Sequence, residues 1–213
     1  MKTDDLVTML ASGAGPVEPG ATARRYATAL GWGAFGATLL LALVLGVRPD
    51  LAQAARLPMF WMKLAFPACL AAGALYAAAR LSRPGAQLGR VPAALAAPVL
   101  AMWLLAAFVL LSAAAGEREE LIFGGTWYAC PLFVALLSLP LFAAAMWAMK
   151  GLAPTRLALA GAAAGLLAGA AGALIYALHC PEMGAPFLAI WYLLGMLIPT
   201  AAGALIGPRL LRW

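Results

Sequence analysis

Six runs of about twenty apolar residues, at 27–47, 61–81, 92–115, 128–149, 157–178 and 188–207, constrain this chain more than any other feature. About twenty helical residues cross a hydrocarbon core about 30 Å thick. Backbone in lipid has no water to bond, so each run must satisfy its own N–H and C=O groups, as a helix does. The runs lack the period-two alternation of barrel strands. Composition agrees, with 65% of the 213 residues hydrophobic and 10% charged, against about 25% charged in soluble domains. The expected fold is all-α: a polytopic six-helix transmembrane domain over 27–213 with short loops, preceded by a tail at 1–26.

The connections at 48–60, 82–91, 116–127, 150–156 and 179–187 are too short to hold a domain. They do sort charge. Lys2, Arg24, Arg25, Arg80, Arg83, Arg90, Lys150, Arg156, Arg209 and Arg212 fall on one side of the expected membrane, and Arg48, Arg56, Lys63 and Arg118 on the other. The positive-inside rule assigns the richer side, with both termini, to the cytoplasm. Glu117, Glu119 and Glu120 fall outside. The net charge of +6 therefore reads as topology, and no direct nucleic-acid partner is expected. Trp61, Trp127, Tyr128, Trp191, Tyr192 and Trp213 lie near run ends and read as interfacial anchors. The acidic opening Met1-Lys2-Thr3-Asp4-Asp5 argues against a cleavable signal peptide.

Inside the runs charge is scarce. Lys63 lies near the outer end of the second run and is expected to snorkel to the interface. No run contains Asp or Glu, which counts against an ion-driven transporter. Gly161, Gly165 and Gly169 make two small-xxx-small steps, with Gly172 near the same stripe. Such a stripe admits close helix packing, within the bundle rather than between copies. Pro67, Pro98, Pro140 and Pro199 lie within runs and are expected to kink them.

The chain has three cysteines. Cys69, inside the second run, reads as an inert buried side chain. Cys130 and Cys180 fall at the outer ends of the fourth and fifth runs, on one face of the membrane, which in a bacterium is the oxidising side. Each precedes a proline. Pro131 at the first helical position would make Cys130 an N-cap, where the helix dipole favours a thiolate. Cys180 follows a helix carboxyl end, where the dipole acts the other way. His179, the sole histidine, adjoins Cys180, and Glu182 lies two residues on. These residues admit a static disulfide, a switchable thiol pair, or a soft-metal site with His179 and Glu182 as accessory ligands. No cofactor is expected beyond such a metal ion acting as a signal. With one histidine, no intramembrane carboxylate and no nucleophile motif, hydrolysis has no machinery here. A membrane thiol-disulfide oxidoreductase is the one enzyme class the cysteines permit, and a second cysteine pair or quinone site for it is missing.

The tail carries its own pattern. Thr3 can cap a short helix with Asp4 and Asp5 in its first turn. Leu6, Met9 and Leu10 then share one apolar face, and Gly13, Gly15 and Pro16 end the segment. A helix this short needs something to order against.

Thr3-Asp4-Asp5-Leu6, Leu57-Pro58 with Phe60-Trp61 and Lys63, and Arg83-Pro84-Gly85 resemble the NrsF-like membrane anti-sigma factors. So do Ala153-Pro154, the glycines of the fifth run, Tyr176-Ala177-Leu178-His179-Cys180, Trp191-Tyr192 and the closing Arg209-Leu210-Leu211-Arg212-Trp213. The resemblance covers nearly the whole chain. It implies a six-helix protein of the bacterial inner membrane that holds an extracytoplasmic-function sigma factor inactive. It implies release under metal or oxidant stress sensed through two periplasmic cysteines, which map onto Cys130 and Cys180. The segment Thr3 to Leu6, with Met9 and Leu10, is the candidate for docking the sigma factor. The resemblance implies a regulator and not an enzyme.

Overall fold

The computed structural model of the protein describes residues 3–13 and 20–212. Met1, Lys2, Gly15, Pro16 and Trp213, used in the sequence argument, lie outside the described residues. In chain order the helices are α1 (Thr3–Gly13), α2 (Ala21–Leu45), α3 (Leu51–Ala54), α4 (Pro58–Leu81), α5 (Val91–Ser112), α6 (Arg118–Phe123), α7 (Cys130–Lys150), α8 (Leu157–Tyr176) and α9 (Ala185–Leu210). Among the described residues α2, α4, α5, α7, α8 and α9 are long and apolar enough to cross a membrane. The short α3 and α6 were not legible as periodic segments and sit in the two longest connections.

α2 begins at Ala21, inside the stretch read as tail. Hydropathy marks the part of a helix that meets lipid, and α2 runs past it. Arg25 bends over the end of α7, donating from Nε to Ala148 O at 2.8 Å and standing 4.6 Å from the Trp147 ring. Tyr26 is buried, and its hydroxyl lies 3.0 Å from that of Ser82 at the end of α4. α4, α5, α7 and α9 each continue through the prolines named above. The irregularities that do occur are two π-helical turns, Leu41–Leu45 closing α2 and Leu188–Tyr192 within α9. Such turns re-aim the side chains that follow and recur at functional sites.

α8 is the central post and packs against α9, α7 and α4. Its glycines explain how. A Cβ at Gly161 would run into the Gly203 carbonyl, and one at Gly165 into the Pro199 carbonyl. One at Gly169 would lie 2.8 Å from Met196 O. All three meet α9, whereas Gly172 faces α7, 3.0 Å from Ser138 N. α2 lies on the far side of α7, and α5 is the peripheral helix, packed on α4 and the first turn of α9. The antiparallel order leaves two unlike ends. One gathers the start of α2, the 82–90 and 151–156 connections and the end of α9. The other gathers 46–57, 113–129 and 177–184.

Candidate functional site

Cys130 and Cys180 meet at the second of these ends. Cys130 is the first residue of α7, and its N–H donates to Thr126 O at 2.9 Å. Ala129 is therefore the cap and Pro131 the second helical residue, so Cys130 is not the N-cap that the Cys-Pro order suggests. The turn from Thr126 starts the helix one residue early. Cys180 leaves α8 through a final turn, with its N–H on Tyr176 O at 3.0 Å. Both thiols are unbonded and both side chains are 0% exposed. They belong to one buried cluster with Phe187, Leu188, Ala189 and Met196. The Tyr176 side chain interacts with both sulfurs. Cys69, by contrast, is exposed on the outer face of α4, where lipid rather than protein would cover it.

Two cations hold the Cys180 backbone. Lys63 Nζ donates to Cys180 O at 2.7 Å and to Glu182 O at 2.8 Å. Arg48 Nη1 donates to the same Cys180 carbonyl at 3.0 Å. Lys63 therefore does not snorkel outward: it is 0% exposed. The irregular 177–184 segment roofs this end of the bundle, and its carbonyls have no helical partners. Lys63, on a helix with no acidic residue, satisfies two of them. Tyr192 is likewise not an interfacial anchor. The π-turn in α9 swings it inward, where its ring lies 5.4 Å from Lys63 Nζ and 5.8 Å from the Tyr176 ring. Its hydroxyl is the buried side-chain atom without a hydrogen-bond partner among the described residues. Lys63 and Arg48 are the residues around the cysteines whose contacts pattern reading passes over. The available signal was the expense of a lysine inside an apolar run, which marks it for a partner.

The surrounding loops are tied in. His179 Nδ1 donates to Gly46 O at 2.9 Å, and Gly46 sits at φ 76°, a conformation that favours glycine. The Glu182 carboxylate accepts from Gly125 N at 2.9 Å and from Thr126 Oγ1 at 3.3 Å. Gly124 beside it is at φ 53°, and a Cβ there would lie 2.6 Å from a Glu182 oxygen. Trp191 Nε1 donates to Ile122 O at 2.8 Å, and its ring stacks 5.2 Å from Trp127. Arg48 also grips Asp50 with two bonds of 2.7 Å. That pair holds the Asp50 carboxyl below the usual carboxylate range and raises the Arg48 guanidinium above its own.

His179 Nδ1 and one Glu182 carboxylate oxygen are thus engaged by the neighbouring loops. Among the described residues no three His, Cys, Asp or Glu side chains come together to hold a metal ion. What remains for a soft ion is the two sulfurs. Glu182 also lines a cleft of about 350 Å³ with Glu117, Glu120 and Phe187, which gives this end an acidic mouth.

α1 precedes α2 in the chain, and its first turn carries Asp4 and Asp5 after Thr3. Leu6, Val7, Met9 and Leu10 are all exposed, Leu10 by 65%.

The model of the family described as "Negative regulator of sigma F" (NrsF) matches residues 10–213. A curated protein of Azospira oryzae, named "Probable anti-sigma-F factor NrsF", is 62% identical over 213 residues and covers all of both chains. The "Anti-sigma-F factor NrsF" of Caulobacter vibrioides is 40% identical over 215 residues, again covering all of both. No solved structure matches the chain.

Proposed function

The chain belongs to the NrsF family of negative regulators of sigma F, and from that premise we propose that it is a membrane-embedded anti-sigma factor. Its client is a sigma factor of the sigma F, extracytoplasmic-function kind, held at the bacterial inner membrane. Both chain ends are cytoplasmic, and the client is released when oxidant or a soft metal ion acts on Cys130 and Cys180 from the periplasmic side. The relatives are named as regulators, not enzymes.

One observation carries the reading. Two cysteines about fifty residues apart share a buried cluster at one end of the bundle, while α1, which precedes the helix that starts at the other end, exposes apolar side chains. α7 connects them physically. It starts at Cys130, and its last turn holds Arg25 of α2 through Trp147 O and Ala148 O. Forming a disulfide removes one hydrogen from each thiol and passes two electrons to the oxidant. It also demands a Cα separation of about 4.4–6.8 Å. A soft metal bridging both sulfurs imposes a comparable constraint. Either would bias the position of α7 against α8, and through Arg25 the presentation of α1. Signalling needs such a difference between two states. The acidic Asp4 and Asp5 and the apolar Leu6, Met9 and Leu10 offer the client a mixed surface, with Thr3 opening the helix.

The test is co-purification of the sigma factor from gently solubilised membranes, with and without oxidant. The Cys130→Ser, Cys180→Ser double variant is expected to retain its client under oxidant. Normal release from that variant would refute the sensing role. Deletion of residues 1–20 is expected to abolish capture with insertion intact, and retained capture would exclude α1 as the main contact. Fusions of a periplasm-active phosphatase after Gly116 and Trp213 are expected to be active and silent respectively, which checks the orientation.

A further inference from the structure

Lys63 treats the two sulfurs unequally. Its Nζ is tied to the carbonyls of Cys180 and Glu182, at 2.7 and 2.8 Å, which holds the ammonium against the Cys180 segment. Among the described residues no carboxylate answers this buried charge. Glu182 is turned onto Gly125 and Thr126, and Asp50 onto Arg48. A buried cation stabilises whatever negative charge develops beside it. At this spot that charge arises on the Cys180 sulfur as it reacts. A second feature falls on the same side: the buried Tyr192 hydroxyl makes no hydrogen bond, and its ring lies 5.4 Å from Lys63 Nζ. Both sulfurs are 0% exposed, so an oxidant must be small to reach them.

We propose that Cys180 is the sulfur attacked first by a hydroperoxide, that Lys63 is the positioning residue directing reaction there, and that Cys130 is the resolving thiol. The inference rests on the reading that this pair is oxidised during signalling. In the first step the Cys180 sulfur takes the near oxygen of the hydroperoxide and the O–O bond breaks. The departing oxygen takes up the thiol proton and leaves as water or alcohol, and Cys180 becomes a sulfenic acid. In the second step the Cys130 sulfur displaces that hydroxyl as water, and a disulfide remains. Two electrons pass from the sulfurs to the peroxide oxygens, and Lys63 stays protonated throughout.

The experiment is sulfenic-acid trapping on the purified full chain treated with hydrogen peroxide, with the modified cysteine located by mass spectrometry. The Cys130→Ser variant is expected to trap at Cys180 at least about tenfold faster than Cys180→Ser traps at Cys130. Lys63→Met in the Cys130→Ser background is expected to slow trapping about tenfold, and Lys63→Arg to restore it to within about threefold. Equal or reversed rates in the two serine variants, no trapping at either site, or full speed in Lys63→Met would each overturn the proposal. The serine variants decide the order of attack even where Lys63→Met fails to fold. The readout needs no sigma factor. If Cys180 reacts first but oxidation releases no client, the signalling reading falls and this one stands. If Cys130 reacts first while oxidation still releases the client, the reverse holds.

Discussion

The two ends of the bundle are built on opposite plans. At the cysteine end, polar atoms are buried and paired across segments far apart in the chain. Lys63 and Arg48 hold Cys180, His179 holds the 46 turn, Glu182 holds the 125–126 turn, and Trp191 holds α6. At the amino-terminal end the described cross-links are fewer, Arg25 on α7 and Tyr26 on Ser82, and beyond them α1 exposes its apolar side chains. A charge or hydrogen bond in a low-dielectric interior is strong and leaving it unpaired is costly, so the first end has few alternative arrangements. The second keeps surface available for a partner. One end suits storing a chemical state and the other suits displaying it.

The contrast can be broken most severely through the shared post. Gly165→Leu drives a side chain into the Pro199 backbone, and the expected cost is about 3 kcal/mol or more. Thermal unfolding in detergent should show both ends lost together. Retention of the parent midpoint would mean that α8 and α9 are not packed glycine to backbone.

Lys63→Met separates the ends. It strands the Glu182 carbonyl and leaves Cys180 O to Arg48 alone, at an expected cost of about 2 kcal/mol. Maleimide labelling of Cys130 should accelerate, while proteolysis of α1 stays at the parent rate. Gly151→Val is the mirror experiment. A side chain there collides with the Arg25 guanidinium, with an expected loss of about 1 kcal/mol. It should change α1 proteolysis and sigma-factor capture, and leave thiol labelling untouched. If either variant moved both readouts, the ends would be more tightly coupled than their bonds suggest.

The smallest effect belongs to acid. Asp50 titrates below its ordinary value because Arg48 grips it. The stabilisation is therefore complete above the unfolded value of about 3.9 and is lost as pH falls through the lower folded value. Because Asp50 lies at the surface, the change is slight. Thiol labelling should rise a little in that acid range for the parent, and Asp50→Asn should show the same rise already at neutral pH.

Much of this was written in the chain's periodicity. Six apolar runs prescribe six helices, because lipid-immersed backbone has one economical way to satisfy itself and hydropathy measures that requirement directly. The placement of Cys130 and Cys180 at one end follows from counting crossings, and the small-residue stripe at Gly161, Gly165 and Gly169 follows from helical spacing. Boundaries were less legible where a helix outruns the apolar run, as at Ala21, since Arg24 and Arg25 are as helical as their neighbours.

What only the tertiary structure decided is where polar side chains turn. Lys63 reads as a snorkelling residue on its own helix, and becomes a buried clamp because a loop more than a hundred residues later brings two carbonyls to it. Tyr192 reads as an anchor until an extra residue in one turn of α9 points it inward. Gly172 joins the glycine stripe by spacing, yet meets α7 instead of α9. Periodicity is a property of one helix and needs only the local chain. A hydrogen bond between α4 and the segment after α8 depends on how the helices settle against one another, and that information is held by no single run.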